Sequence, residues 1–188
     1  TSATGDLEAR KAISRDLNTR YGADTKPEEF FLGCGAAPEL CSVFRALSVS
    51  GGELIAVAPY FPEYRPFAQE AGLQFKVVPP DVPDFQISLP KLEALITPHT
   101  QAVLINTPNN PSGVVYTRET LQELAALLTR KAESYGHPIY LISDEPYREL
   151  AYGVEVPFVP GIYRDTLICY SYSKSLSLPG ERIGYVYV

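Results

Sequence analysis

The chain has 188 residues, of which 45% are hydrophobic and 20% are charged, a balance typical of a soluble globular domain. Its formal net charge of −6 argues against nucleic acid or an anionic membrane surface as the main partner. No apolar run approaches the roughly 18–20 residues that a membrane-spanning helix requires, so we expect no membrane partner either.

Strand-like and helix-like segments alternate along the chain, and their hydrophobic spacing predicts seven strands. In the two clearest helices, at 6–21 and 117–135, apolar side chains recur every three or four residues, and Thr117 caps the second. In chain order, the sequence predicts helix 6–21, strand 30–32, helix 39–48, strand 54–58, helix 64–71, strand 74–78, a helix near 89–96, strand 102–106, helix 117–135, and strands 139–143, 166–170 and 183–188.

The order of these elements indicates an α/β fold. Several predicted strands are continuous aliphatic runs, which is typical of strands covered by helices on both faces. Alternating strands and helices favour a parallel sheet with a crossover between neighbouring strands. We therefore expect residues 1–188 to form one three-layer domain around a mainly parallel seven-stranded sheet.

The ends of the chain and its cysteines lead to two further expectations. The sequence has no methionine, starts in a helix-like segment and stops on a strand, so we expect it to be a piece of a longer protein. Cys34, Cys41 and Cys169 are odd in number and embedded in apolar runs, so we expect reduced, buried thiols in a cytoplasmic protein.

Residues with chemical potential follow the predicted strands at four separate places. The glycine-rich loop at 33–38 follows the first strand, and Asn110, Asp144 and Lys174 lie at or just beyond the ends of three later strands. Because the carboxyl ends of parallel strands share one edge of a sheet, we expect these four pieces to meet in one crevice.

Lys174 lies in a run of hydroxyl-bearing residues after an apolar strand. An amine at such an edge can act as a nucleophile and form Schiff bases with aldehydes. Ser171, Ser173 and Arg182 would supply hydrogen-bond donors and a positive charge, which suits a phosphate dianion. The alternative is an ordinary lysine in a flexible serine-rich turn.

The loop at 33–38 partly matches the dinucleotide fingerprint G-x-G-x-x-G, but Pro38 stands where the third glycine would be. Glu53, the acid at the expected distance, precedes its strand instead of ending it. The small residues would still let backbone N–H groups at a helix start approach a phosphate closely. A tight turn without a ligand remains the alternative.

Two further segments fall on the same predicted edge. The segment at 59–64 carries three aromatic residues, which can stack on a planar ring or simply pack in the core. Asp144 ends an apolar strand, where a charged group needs a partner or costs several kcal/mol.

Together these motifs resemble the aspartate aminotransferase family, the class I/II aminotransferases of fold type I, which use pyridoxal phosphate (PLP). The matching motifs occur in the family's order: Gly35-Ala36-Ala37, Asn110-Pro111-Ser112-Gly113, Asp144-x-x-Tyr147, and Ser171-x-x-Lys174 with Arg182. The resemblance covers essentially the whole chain. It implies that residues 1–188 are the PLP-binding large domain, without the family's N-terminal segment and C-terminal small domain.

The resemblance also implies a role for each matched residue. Lys174 would hold the cofactor as a Schiff base and shuttle a proton, Asp144 would pair with the protonated pyridine nitrogen, and Tyr147 with Asn110 would bind the phenolic oxygen. An Asn110–Pro111 cis peptide bond is implied as well. The implied catalytic residues are Lys174, Asp144 and Tyr147; the implied cofactor-binding residues are Gly35, Ala36, Ala37, Phe61, Asn110, Asp144, Tyr147, Ser171, Ser173, Lys174 and Arg182; no metal ligand is implied.

The activity implied is transfer of an amino group between an amino acid and a 2-oxo acid, by a cytoplasmic homodimer. A β-lyase, an enzyme like aminocyclopropane-carboxylate synthase, or a PLP-binding regulatory domain without turnover would carry the same motifs. Relatives bind the substrate carboxylate with an arginine of the small domain, so the substrate is not predicted. We expect residues 1–188 alone to bind PLP without catalysing transamination.

Overall fold

The computed structural model describes residues 2–188 and contains six α-helices and seven strands within that range. Helix α1 (Leu7–Tyr21) begins after Asp6, whose side chain accepts a hydrogen bond from the Ala9 amide. The other helices are α2 (Ala36–Ala46), α3 (Tyr64–Glu70), α4 (Leu89–Glu93), α5 (Arg118–Tyr135) and α6 (Tyr172–Ser175). The strands are β1 (Phe30–Gly33), β2 (Glu53–Val57), β3 (Gln74–Val78), β4 (Thr100–Asn106), β5 (Tyr140–Asp144), β6 (Thr166–Ser171) and β7 (Gly184–Tyr187).

The seven strands form one sheet in the order β1-β7-β6-β5-β4-β2-β3. Strands β2 to β6 pair in parallel, whereas β7 is antiparallel to both of its neighbours, β1 and β6. Because two antiparallel pairings restore the direction, β1 runs the same way as β6. The prediction of a mainly parallel seven-stranded sheet is therefore confirmed, and the ends of β1, β4, β5 and β6 share one edge with the start of β7.

Helices cover both faces of the sheet, which makes the domain three-layered. One face packs against α4 and α5, and further along against α1, through buried residues such as Val103, Leu141, Leu128, Ile168 and Leu17. The opposite face packs against α2 and α3 through Leu104, Ile142, Leu40, Phe44 and Tyr64. Each fully buried aliphatic side chain stabilises the fold by roughly 1.5–3 kcal/mol, so these two layers hold the edge loops in place.

Most predicted elements lie within two residues of their observed bounds. The helix predicted near 89–96 ends earlier, at Glu93, the loop predicted after β6 begins with the short helix α6, and the start of α2 also differs. The sequence predicts a start at 39, after Pro38, whereas the helix begins at Ala36 behind a Gly35 cap. Pro38 thus lies in the first helical turn, where its missing N–H has no intrahelical partner to lose. The earlier start places the first amides of α2 beside the shared edge.

The prediction of buried cysteines is right for Cys169 and wrong for Cys34 and Cys41, which are exposed. Cys34 lies in the loop between β1 and α2. Cys41 lies on the side of α2 away from the sheet, because Leu40 and Phe44 form the buried side of that helix. All three thiols are free.

None of the helices in the described part of the chain combines the length and apolar character that crossing a bilayer requires.

Candidate active site

A cavity of about 210 Å³ opens at the edge where β4, β5 and β6 end. Ten of the eleven cofactor-binding residues predicted from the sequence line it, so the expected convergence on one crevice is observed. The eleventh, Gly35, immediately precedes α2 as its cap. The ten are Ala36, Ala37, Phe61, Asn110, Asp144, Tyr147, Ser171, Ser173, Lys174 and Arg182.

Asp144 is the last residue of β5 and is 4% exposed. It lies on the same sheet face as Ile142, towards α2 and α3, because side chains alternate along a strand. Its Oδ2 accepts a hydrogen bond from the Tyr64 hydroxyl, and its Oδ1 is buried without a partner among the described residues. Burial raises the pKa of Asp144 to about 7, the Tyr64 hydrogen bond opposes that rise, and the Glu145 charge adds to it.

Tyr64 is a site residue that the sequence reasoning missed. It is the first residue of α3, 1% exposed, and three residues after Phe61, which lines the cavity. The sequence did indicate that the Asp144 carboxylate, at the end of an apolar strand, requires a hydrogen-bond donor. The sequence could not indicate which of the chain's 13 tyrosines supplies it, because α3 and β5 are brought together only by the packing of the helix on the sheet.

A chain of hydrogen bonds connects Asp144 with the loop that carries Asn110. The Asn106 amide nitrogen donates to the backbone oxygen of Asp144 at 2.8 Å, and the Asn110 backbone N–H donates to Asn106 Oδ1 at 2.6 Å. The Asn110 amide nitrogen in turn lies 3.4 Å from the Tyr147 hydroxyl, to which it donates. Two donors predicted to bind the same atom are thus side by side, and the Asn110–Pro111 bond is cis as predicted.

Hydroxyl, guanidinium and backbone groups form a cradle on another side of the cavity, which we call the anion cradle: Gly35, Ala36, Ala37, Ser171, Ser173 and Arg182. Arg182 donates to the Ser173 hydroxyl at 3.1 Å and to the backbone oxygen of Cys34 at 3.0 Å. Gly35 has a φ of +94°, and a Cβ added there would lie 2.5 Å from the Arg182 Nη2 atom. The positive φ favours glycine at this position, and a side chain there would also displace the Arg182 guanidinium.

Lys174 lies in the short helix α6, three residues after the end of β6. Its side chain is exposed and lines the cavity together with Asp144 and Tyr147. The site therefore combines an anion cradle, a buried carboxylate, a paired amide and phenol, and one amine. Within residues 2–188 no group of three or more His, Cys, Asp or Glu side chains is arranged to hold a metal ion.

Replacing Tyr64 with phenylalanine should destabilise the cofactor-free protein by about 1–3 kcal/mol, because the variant leaves a buried carboxyl oxygen unpaired. The loss should be larger at about pH 8 than at about pH 5, since the hydrogen bond is stronger to the ionised carboxylate, and the pKa of Asp144 is about 7. The Tyr64 hydroxyl lowers the pKa of Asp144, so the pKa of Asp144 is higher in the folded variant than in the folded wild type. The folded variant therefore binds this proton more tightly, and its free energy of unfolding falls more steeply as the pH rises.

Urea unfolding at the two pH values measures the Tyr64 effect, with Tyr152→Phe as the matched control because the Tyr152 side chain is 85% exposed. Equal losses for the two variants would show that the Tyr64 hydroxyl does not support Asp144.

The family Aminotransferase class I and II matches residues 1–188. The chain therefore belongs to the class I and II aminotransferase family. Its structure also resembles solved structures of that family, whose shared architecture is fold type I.

Three bacterial aminotransferases illustrate the similarity. An aspartate aminotransferase of Thermotoga maritima is 36% identical over 99% of this chain and 49% of its own length. An aminotransferase structure from Eubacterium rectale is 52% identical with a TM-score of 0.98, over all of this chain and 48% of that one. An aspartate aminotransferase from Thermus thermophilus with maleate has a TM-score of 0.90 and 31% identity, again over all of this chain and 48% of its own. The chain thus spans about half the length of the curated relatives it matches.

Proposed function

We propose that this chain is the cofactor-binding large domain of a PLP-dependent aminotransferase, which transfers an amino group between an amino acid and a 2-oxo acid. The observation that carries the proposal is the meeting, in one cavity, of Lys174, the buried Asp144, the Asn110–Tyr147 pair and the anion cradle. The names of similar proteins support it, since they include an aspartate aminotransferase and an aspartate/prephenate aminotransferase.

The anion cradle fits the phosphate of PLP. Ser171, Ser173 and Arg182 supply hydroxyl and guanidinium donors within hydrogen-bond distance of one another. The first amides of α2, at Ala36 and Ala37, have no partner inside the helix and add the positive end of its dipole. A dianion would therefore find both charge and donors in this part of the cavity.

The floor of the cavity fits the ring of PLP. Asp144 Oδ1 is buried without a hydrogen-bond partner in the described range, and a protonated ring nitrogen would supply both the missing donor and a compensating positive charge. That cation would lower the pKa of Asp144 from its raised value and keep the carboxyl ionised. Phe61 would stack on the ring, while Asn110 and Tyr147 would donate to its phenolic oxygen.

When bound, PLP supplies an electron sink that stabilises negative charge at the substrate Cα. Asp144 would maintain that sink by holding the proton on the ring nitrogen. Lys174 would hold the cofactor covalently through its Nζ atom. Once the substrate amino group had displaced Nζ, the freed amine would move a proton between the substrate Cα and the cofactor C4′. Tyr147 and Asn110 would orient the PLP ring relative to Lys174.

The remaining parts of the proposal concern partners and location. We propose an α-amino acid and a 2-oxo acid as the substrates and a homodimer as the complete protein. The three free thiols fit the prediction of a cytoplasmic protein.

The test is a half-reaction. The protein in its complete natural form is loaded with PLP and mixed with a panel of amino acids in the absence of an acceptor, and the products are identified. An aminotransferase should convert bound PLP to pyridoxamine phosphate and release one 2-oxo acid per site. Release of ammonia with PLP regenerated would instead indicate a lyase, and no conversion with any amino acid would contradict the proposal.

A further inference from the structure

Glu39 is a buried acid next to the site that the proposed function does not use. It lies in the first turn of α2, two residues after Ala37 of the anion cradle, and is 4% exposed. Neither carboxyl oxygen has a hydrogen-bond partner of normal geometry within residues 2–188, although the Gly35 backbone N–H is close enough to lower the pKa of the group. An ionised carboxylate without partners is strongly disfavoured in such a position, so the group must be neutral or face a cation.

Two glycines make room for this carboxyl group. Gly33 and Gly184 are register partners where β1 pairs with β7, at the same edge as the cavity. A Cβ added to either glycine would lie 2.7 Å from Glu39 Oε1. The carboxyl therefore lies in space that the two glycines leave open, and at Gly184 the Tyr170 backbone oxygen excludes a side chain as well.

Few ionisable groups face Glu39, and they come from different elements. Asp144 on β5 and Arg182 before β7 act on it by charge, and Cys169 on β6 lies close enough for Glu39 to raise the pKa of its thiol. Lys174 on α6 lines the adjoining cavity. Strands β1 and β7 face it with the two glycines. On α2 itself, Cys41 and Arg45 are exposed, away from the sheet.

The balance of these surroundings favours the neutral acid. Burial, the largest cause, and the Asp144 charge together raise the pKa of Glu39 to about 8, against the opposing effects of a Gly35 backbone hydrogen bond and the Arg182 charge. The same Arg182 donates to Ser173 and to the Cys34 backbone in the anion cradle. The Arg182 guanidinium thus forms hydrogen bonds within the anion cradle and also acts by its charge on the Glu39 carboxyl.

We propose that the charge of Glu39 controls the anion cradle, and that its carboxyl must be neutral for a phosphate dianion to bind tightly. This rests on the proposed function, which assigns the cradle to the phosphate of PLP. An ionised Glu39 would attract Arg182 and repel the dianion. Phosphate binding and protonation of Glu39 are therefore coupled, and the coupling is reciprocal: each favours the other.

The experiment measures the dissociation constants of PLP and of inorganic phosphate for the cofactor-free protein in its complete natural form, at several pH values. Wild type, Glu39→Gln and Glu133→Gln are compared, the last being an exposed glutamate on α5. When the pH rises from about 7 to about 9, the affinity of the wild type and of Glu133→Gln for PLP and phosphate should fall. The fall should be about fivefold or more greater than in Glu39→Gln. Asp144 and Lys174 are present in all three proteins, so the ratio of constants isolates Glu39.

A second measurement does not depend on the variant folding. Calorimetry of phosphate binding to the wild type, in buffers of different ionisation enthalpy at about pH 8, should show net uptake of a fraction of a proton. Parallel pH profiles for wild type and Glu39→Gln, or no proton uptake, would overturn the role of Glu39 and leave the proposed function standing. Failure of every protein to bind PLP would overturn both.

Discussion

Replacing Lys174 with alanine is expected to lower the rate of amino-group transfer by about 10⁴-fold, the upper range for loss of a positioned proton-transfer group. The variant loses both the amine that holds the cofactor and the base that moves the proton at the substrate Cα. PLP should still bind, more weakly, because the anion cradle and Asp144 are intact. Single-turnover kinetics with a good amino donor measure the rate, and dialysis against buffer measures the retained cofactor.

The matched control for this variant is Lys131→Ala. Lys131 lies on α5 and pairs with Glu93, away from the cavity. The Lys131→Ala variant should transfer amino groups at the wild-type rate. Comparable losses in the two variants, or a Lys174→Ala protein that keeps most of its rate, would contradict the role given to Lys174.

Replacing Asp144 with alanine is expected to lower turnover by about 10³-fold while part of the PLP is retained. A carboxylate that raises the pKa of the ring nitrogen by about three units stabilises its protonated form by about 4 kcal/mol, which is a factor of about 10³. The phosphate would still be held by the anion cradle. The rate is measured as for Lys174→Ala, and cofactor content by absorbance after gel filtration.

Loss of Asp144 also leaves the buried Tyr64 hydroxyl without its acceptor, so stability must be separated from catalysis. Asp144→Asn keeps an acceptor for Tyr64 and removes the charge, whereas Asp84→Ala changes an exposed aspartate outside the cavity. The low rate should persist in folded Asp144→Asn and be absent from Asp84→Ala. Near-wild-type turnover in either Asp144 variant would refute the electron-sink role.

Much of the fold could be predicted because the apolar runs that form the strands are local signals. All seven predicted strands exist, and Gln74–Val78 has the predicted bounds. The strand order and the antiparallel direction of β7 were not predictable in the same way. They depend on which strands meet across the sheet, a long-range outcome of packing that hydrophobic spacing along one segment does not encode.

The site was predictable to the extent that its residues follow strand ends. Asn110, Asp144 and Lys174 come to one cavity because parallel strands share an edge. The contacts between layers were not predictable, as Tyr64 and Glu39 illustrate. Each is an ordinary helical residue in the sequence, and only the docking of α3 and α2 on the sheet brings them to Asp144 and to the glycines of β1 and β7.

The cysteines show a different limit. Cys41 lies between Leu40 and Val43 in an apolar run, yet only those neighbours face the sheet. The prediction that Cys41 is buried used the apolar run alone. The helical spacing of Leu40, Val43 and Phe44 places Cys41 on the other side of α2, and this spacing does not depend on where the helix begins.

The most direct test of the account is to identify the lysine that carries the cofactor. The complete natural protein is incubated with PLP, reduced with borohydride and digested, and the peptides are mapped by mass spectrometry. We expect a single pyridoxyl group, on Lys174, and no label on that peptide when the anion cradle is weakened by Arg182→Ala at limiting PLP. A label on Lys91 or Lys131, or no stable label at all, would contradict the central claim that this cavity binds PLP through Lys174.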